Sequence, residues 1–185
     1  SQAQFEFATQ RMKTHHLDSL VDIQLLDYRD VKGQFDHVVS IEMIEAVGKE
    51  FWESYLKKIK EVTKKGGRVA IQSIVMNDGE FANYLRGTDF IQQYIFPGGV
   101  LLSPQTLKKF IQKISNQGQD KVISFGSDYA RTLHLWNIQF QQAWPKLKAG
   151  IFDLRFKRMW EFYLKYCEGS FLSKKIDVLI VSFRL

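Results

Sequence analysis

The order of three segments in the first half of the chain constrains the fold most. Residues 37–41 form a short apolar run, and apolar side chains then recur at helical spacing over residues 49–63. The sequence predicts a helix there that Gly66 and Gly67 end. Residues 68–75 are mostly apolar, as in buried parallel strands. Because a strand–helix–strand unit makes a right-handed crossover, this order predicts a doubly wound α/β fold.

The rest of the chain continues the alternation of helices and strands. One segment breaks it, since residues 76–100 are too aromatic for a plain solvent loop. Ser103 and Pro104 then provide an N-cap and a first-turn proline. The other predicted elements are a helix at 2–14, a strand at 21–26, a helix through residues 107–114, a strand at 122–125, two long helices with apolar stripes over 129–140 and 152–164, and a strand at 176–183.

Composition narrows the class of protein. The 185 residues are 45% hydrophobic, which suits one globular domain with a sizeable core. The single cysteine, Cys167, excludes an internal disulfide and agrees with a cytoplasmic protein. The four histidines occur in no metal-ligand pattern, so no structural metal is expected. The first residues do not resemble a signal peptide.

The net charge of +6 leaves several partners open. Basic residues cluster within 57–68 and 146–158, either as solvated helix faces or as a surface for an anionic partner. No nucleic-acid fold signature is present, so nucleic acid is not expected as a partner.

Glu45 is the first candidate for chemistry. It follows the strand at residues 37–41, and open α/β sheets bind their ligands outside the carboxyl ends of the strands. A carboxylate at that position is either a working group or a surface charge.

The segments around these candidates resemble the cyclopropane-fatty-acyl-phospholipid and mycolic acid cyclopropane synthases. The resemblance covers essentially the whole chain but only the C-terminal part of a family member. The matching segments, in order, are 35–48 (FDHVVSIEMIEAVG), 94–99 (YIFPGG), 125–133 (FGSDYARTL), 143–145 (AWP), 155–160 (RFKRMW) and 163–168 (YLKYCE).

The resemblance implies a class I methyltransferase fold, a Rossmann-like doubly wound sheet that here lacks its first two strands. It implies methyl transfer from S-adenosylmethionine to the double bond of an unsaturated phospholipid acyl chain, giving a cyclopropane. The enzyme would work in the cytoplasm, at the inner face of the membrane. Residues 76–118 and 128–170 would cover a lipid cavity.

The resemblance also assigns the site. In this family a bound bicarbonate is regarded as the base that closes the ring, and the matching positions are Glu45, Gln72, the backbone of Ile74, and Tyr129. We expect Glu45, Gln72 and Tyr129 to converge on one polar spot in an apolar cavity. Aromatic faces stabilise a nearby cation, and the expected cavity aromatics are Tyr94, Phe96, Trp136, Trp160 and Tyr163. Cys167 is interpreted as structural.

The expected cofactor contacts fall in two places. Asp27, Tyr28 and Arg29 would lie near the adenine, and Ile41 and Glu42 would flank the methionine part. The family's glycine-rich cofactor loop matches no segment of this chain, so we expect no S-adenosylmethionine binding by the 185 residues alone. With two strands missing, residues 21–26 are expected to pair directly with residues 37–41 or to exchange between subunits of a homodimer.

One position departs from the family pattern. Gln72 stands where the family usually has histidine, and a carboxamide never becomes a cation. Anion binding and ring closure are therefore expected to weaken more than methyl transfer. A product with a methyl or methylene branch remains an alternative, as do a non-enzymatic lipid-binding relative and a small-molecule O- or N-methyltransferase.

Overall fold

Four strands form one sheet in the part of the chain that the computed structural model describes, which is residues 1–115, 118–147, 150 and 152–185. The strands are β1 (Phe35–Ile41), β2 (Thr63–Met76), β3 (Lys121–Ser124) and β4 (Ile176–Arg184). Their order is β1-β2-β4-β3, with β1 parallel to β2 and with β4 antiparallel to both β2 and β3. The predicted parallel unit and the mixed α/β class are confirmed.

The chain divides into two units, residues 1–33 and 34–185. In the first unit, α1 (Gln2–Thr14) confirms the predicted opening helix, and the side chain of Ser1 accepts a hydrogen bond from the backbone of Gln4 at its N-terminus. A short 3-10 helix, Tyr28–Asp30, follows.

The strand predicted for residues 21–26 is wrong. These residues form no helix or strand, and no residue of the first unit is buried. Leu25, within the predicted strand, is 54% exposed. An isolated strand without a paired neighbour has little stability in water, so the pattern alone does not produce one. The expected direct pairing with β1 is wrong as well, since β1 pairs only with β2 among the described residues.

The glycine pair does not end the helix as predicted. Helix α2 (Trp52–Val62) ends before it, and β2 already begins at Thr63. The register between β1 and β2 shifts here, because Phe35 pairs with Thr63 and His37 with Arg68. A Cβ on Gly67 would lie 2.7 Å from the carbonyl oxygen of Asp36. Glycine therefore permits a close approach of the two strands at this irregularity.

The core of the second unit lies between the sheet and its helices. Helices α2 and α5 (Pro104–Ile114) each bury one apolar face, and Ser103 and Pro104 begin α5 as predicted. The long helices α6 (Gly126–Leu147) and α7 (Leu154–Leu172) pack against each other and against β4. Two short helices, α3 (Asp78–Tyr84) and α4 (Phe90–Tyr94), occupy the aromatic segment. None of the described helices has the length and apolar character that crossing a bilayer requires.

A side chain on β4 fixes the start of α6. Asp177 accepts hydrogen bonds from the backbone of Gly126 at 2.8 Å and from the hydroxyl of Ser124 at 2.5 Å. A Cβ on Gly126 would lie 2.5 Å from the carboxylate of Asp177, so this position requires glycine. The contact fixes the first turn of α6, which carries Tyr129.

Candidate functional site

A cavity of about 290 Å³ lies inside the second unit, at the carboxyl ends of β1 and β2. The strand ends, the segment 76–101 and helices α6 and α7 all contribute to it. Its lining residues are Glu42, Glu45, Ala46, Ile74, Met76, Tyr84, Asp89, Ile91, Gln92, Phe96, Gly99, Val100, Leu101, Tyr129, Leu133, Tyr163, Tyr166, Cys167, Ser170, Phe171, Lys175 and Ile176.

Glu45 places a carboxylate in the wall of this cavity. The backbone N–H of Ile74, on β2, donates a hydrogen bond to Glu45 Oε1 at 2.5 Å. The other oxygen, Oε2, is buried and has no hydrogen-bond partner among the described residues. Burial raises the pKa of Glu45 above its usual value, because a charged carboxylate loses its hydration there. The group thus combines a fixed position with one buried oxygen whose hydrogen-bonding capacity no described residue satisfies.

Glu42 connects the other two predicted polar groups. The amide of Gln72 donates to Glu42 Oε1 at 2.9 Å, and the hydroxyl of Tyr129 donates to Glu42 Oε2 at 3.2 Å. The backbone of Glu42 has a φ of 49°, a left-handed conformation that is strained for a residue with a side chain. The parallel pairing places Ile41 beside Gln72 and so brings Glu42 within reach of the amide.

We call Glu42, Glu45, Gln72 and Ile74 the polar wall. Glu42 and Tyr129 both line the cavity with Glu45, and Gln72 supports Glu42 beside it. The family motifs predicted that Glu45, Gln72 and Tyr129 share one polar spot. They assigned Glu42 to the methionine part of the cofactor instead. One sequence feature indicated that Glu42 belongs to this site: it follows directly after β1, three residues before Glu45.

The five predicted cavity aromatics lie at different depths. Phe96 and Tyr163 line the cavity, and their rings meet edge to face with centroids 6.3 Å apart. Trp160 packs against Tyr163 with a centroid separation of 5.1 Å, so it lies in the layer behind the lining. Trp136 packs against Tyr129, and Tyr94 against Phe90. Trp136 and Tyr94 are both close to half exposed and do not line the cavity.

Tyr84 of α3 and Tyr166 of α7 also line the cavity, although no sequence pattern predicted them as site residues. The hydroxyl of Tyr84 accepts a hydrogen bond from the backbone of Leu101 at 3.0 Å. Burial raises the pKa of Tyr163 and of the Cys167 thiol to about 12 each. Burial and the nearby Glu42 raise the pKa of Tyr129 as well. We call Tyr84, Phe96, Tyr129, Tyr163, Tyr166 and Cys167 the aromatic wall.

The predicted cofactor residues lie in both units. In the first unit, Asp27 binds the guanidinium of Arg29 at 2.7 and 2.9 Å, which lowers the pKa of Asp27 to about 2, and it precedes the 3-10 helix that holds Tyr28. In the second unit, Ile41 is 63% exposed at the end of β1, and Glu42 belongs to the polar wall. No group of three or more potential metal ligands occurs in the described part of the chain.

Comparison with known proteins agrees with this architecture. The family profile described as mycolic acid cyclopropane synthetase matches residues 1–181. The tuberculostearic acid methyltransferase UfaA1 of Mycobacterium tuberculosis is 41% identical over 175 residues, which cover 95% of this chain and 41% of that protein. The cyclopropane-fatty-acyl-phospholipid synthase of Escherichia coli K12 is 33% identical over 180 residues, covering 94% of this chain and 44% of that protein.

Solved structures show the same fold. The cyclopropane synthase MmaA2 from Mycobacterium tuberculosis has a TM-score of 0.78 at 21% identity, covering 92% of this chain and 66% of that chain. The mycolic acid cyclopropane synthase CmaA1, solved with SAH and CTAB, has a TM-score of 0.77 at 21% identity. The match covers 93% of this chain and 65% of that chain.

The match extends over almost the whole sequence, while the chain spans less than half the length of the two relatives compared by sequence. The resemblance carried by residues 35–48 and the later motifs is therefore confirmed. This chain belongs to the mycolic acid cyclopropane synthetase family.

Proposed function

We propose that the protein takes part in methyl transfer from S-adenosylmethionine to the double bond of an unsaturated phospholipid acyl chain, at the cytoplasmic face of a membrane. One observation carries the proposal: a mostly apolar, aromatic-lined cavity has Glu42 and Glu45 at one wall, while Asp89 and Gln92 of the lining bond to each other at the start of α4. An acyl chain suits the aromatic wall, and the polar wall suits the reacting carbons.

The charge of the polar wall fits the proposed cofactor. S-adenosylmethionine carries a sulfonium cation, and two carboxylates at one wall favour a cation by Coulomb attraction. Ile41 and Glu42 would hold its methionine part. When bound, the cofactor supplies the methyl group.

The residues of the cavity then act on the acyl chain. Attack by the double bond on the methyl group leaves a positive charge on the neighbouring carbon of the chain. The faces of Phe96 and Tyr163 stabilise that charge through their quadrupoles. A base then takes a proton from the new methyl group, and the C–H electron pair closes the three-membered ring. The free oxygen of Glu45, or a bicarbonate held beside it, is the proposed base.

A branched product is the second candidate, and Gln72 favours it. Its amide already donates to Glu42, and a third anion beside two carboxylates is repelled. If the ring does not close, the cation loses a proton from a neighbouring chain carbon to a base, or a hydride shift puts the charge on the methyl-bearing carbon and the methyl group then loses a proton. The product then carries a methylene or a methyl branch.

Lipid analysis tests the proposal. Cells that express the full-length protein should contain phospholipid acyl chains one CH2 heavier than the unsaturated precursor, and proton NMR separates a cyclopropane from a methylene branch. A variant with Gln72→His should raise the cyclopropane fraction of the total product. An unchanged acyl-chain profile would contradict the proposed activity, and an unchanged product ratio would contradict the role of Gln72.

A further inference from the structure

The outer face of α7 combines exposed apolar and basic side chains. Residues three, four or seven positions apart share a face of a helix. By that spacing one face holds Leu154, Phe162 and Leu172, which are 65%, 52% and 66% exposed. Arg155 and Arg158 lie on the same face and are exposed. Gly169 also lies there, with open space around its Cα.

The charge of this face has one sign. Both acidic residues of α7 lie at its side and are engaged, Glu161 with Lys157 at 2.8 Å and Glu168 with Lys165 at 2.8 Å. The guanidinium groups of Arg155 and Arg158 form no ion pair or hydrogen bond with the residues that the structure describes, and Arg158 acts on Glu161 only by Coulomb attraction at longer range. Two arginines thus remain available to an anionic partner.

The same helix lines the cavity with its other side. Tyr163, Cys167 and Ser170 line the cavity, and Tyr166 belongs both to the lining and to the exposed face. At that border, Phe162 and Tyr166 stack with centroids 5.8 Å apart, and Phe162 meets Phe90 of α4 edge to face at 4.6 Å. The exposed apolar surface therefore continues from α7 to the rim of the cavity.

We propose that the outer face of α7 docks onto a lipid bilayer that contains anionic headgroups. Its mixture of basic, aliphatic and aromatic side chains matches helices that lie in the plane of a membrane interface. Arg155 and Arg158 contact the headgroups, while Leu154, Phe162 and Leu172 enter the boundary of the acyl region. This orientation presents the rim at Tyr166 to the lipid. The inference rests on the proposed function only for the reason why docking is useful.

Vesicle flotation of the 185-residue chain tests the docking without any methyl donor. The chain should float with phosphatidylcholine vesicles that contain phosphatidylglycerol and remain unbound with phosphatidylcholine alone. Arg155→Gln with Arg158→Gln should weaken binding to the anionic vesicles by roughly tenfold to thirtyfold. Leu154→Ser with Leu172→Ser should weaken it by at least roughly tenfold, because less apolar surface enters the bilayer.

A matched variant controls for net charge. Lys108→Gln with Lys109→Gln removes two exposed basic residues from α5 and should leave binding within about twofold of the unchanged chain. If the lysine variant loses as much affinity for anionic vesicles as the arginine variant, the proposed docking face is wrong. If the unchanged chain does not bind anionic vesicles at all, the proposal is also wrong, and the outer face of α7 would then suit a protein partner. Neither result affects the proposed methyl transfer, which the acyl-chain profile tests separately.

Discussion

The two walls of the cavity are held in place by different means. The polar wall depends on the backbone register of two adjacent parallel strands, which places Gln72 beside Ile41 and Ile74 within 2.5 Å of Glu45. The aromatic wall depends on helices that pack through their side chains, and a single hydrogen bond joins Tyr129 of α6 to the polar wall. The carboxylates are thus fixed by the strand register of the sheet, while the aromatic surface is fixed by side-chain packing between helices.

If the aromatic wall excludes water, Cys167 should react very slowly. Burial raises the pKa of its thiol from about 9 to about 12, so the reactive thiolate is about a thousandfold rarer than for a free thiol. Alkylation by iodoacetamide at pH 8 should be slower by that order than in denaturant. A native rate close to the denatured rate would show that the wall is open to solvent.

The polar wall should respond to loss of one charge. Glu45→Gln should lower product formation by roughly a hundredfold or more if the carboxylate acts as the base. Acyl-chain analysis of cells that express the full-length variant measures this, and Glu80→Gln on the exposed start of α3 is the control. Equal product from both variants would remove Glu45 from the mechanism.

The same substitution, Glu45→Gln, should not lower the thermal stability of the folded chain, although it lowers product formation. Burial raises the folded pKa of Glu45, so the folded state keeps a proton that the unfolded state has released. That difference reduces stability as the pH rises from the usual pKa through the raised one. The neutral amide of Glu45→Gln escapes this loss, so its Tm at pH 7 should be no lower than that of the unchanged chain. A lower Tm would indicate that the carboxylate is structural.

The junction between the walls should be sensitive to one methyl group. Gly126→Ala would place a Cβ 2.5 Å from Asp177 Oδ1 and should lower the free energy of unfolding by about 1–3 kcal/mol. Gly169→Ala, in α7 where nothing lies within 4 Å, should raise it by about 0.5–1 kcal/mol. Urea unfolding measures both. Similar effects at the two sites would mean that Asp177 does not fix the start of α6.

The smallest expected effect concerns the bond between the walls. Tyr129→Phe removes the 3.2 Å hydrogen bond to Glu42 and should lower the free energy of unfolding by about 0.5–1.5 kcal/mol. Because Glu42 keeps its bond to Gln72, the polar wall should remain in place. Urea unfolding gives the first quantity. A loss above about 3 kcal/mol would show that the walls depend on each other far more than their geometry indicates.

Sequence patterns predicted the sheet well where each strand has a neighbour to bury it. Residues 37–41, 68–75 and 176–183 all lie in strands, whereas residues 21–26 show a similar pattern and form none. The cause lies in the tertiary structure, since an apolar segment forms a strand only when a neighbouring strand supplies hydrogen bonds. Gly66 and Gly67 predicted a helix end because glycine is common both at the C-termini of helices and at β-bulges.

The site was predictable in its composition and less so in its contacts. Glu45 could be placed from a motif that follows the end of β1, and Tyr129 from a motif at the start of α6. Glu42 accepts hydrogen bonds from Gln72 and Tyr129, and its own backbone is left-handed although it is not a glycine. No spacing rule indicates such a conformation. The resemblance predicted Trp136 and Tyr94 for the cavity wall or the layer behind it, and it does not tell which aromatic side chain faces the cavity; Trp136 packs behind Tyr129.

Photo-crosslinking with a fatty acid that carries a diazirine at mid-chain tests the central claim most directly. The claim is that this cavity holds an acyl chain with its reacting carbons at the polar wall. Peptide mapping by mass spectrometry should place the adducts on Glu42, Glu45 or Tyr129, and on Phe96 or Tyr163 when the diazirine lies near the chain end. Adducts spread over α5 or α1, with none in the cavity, would contradict the account.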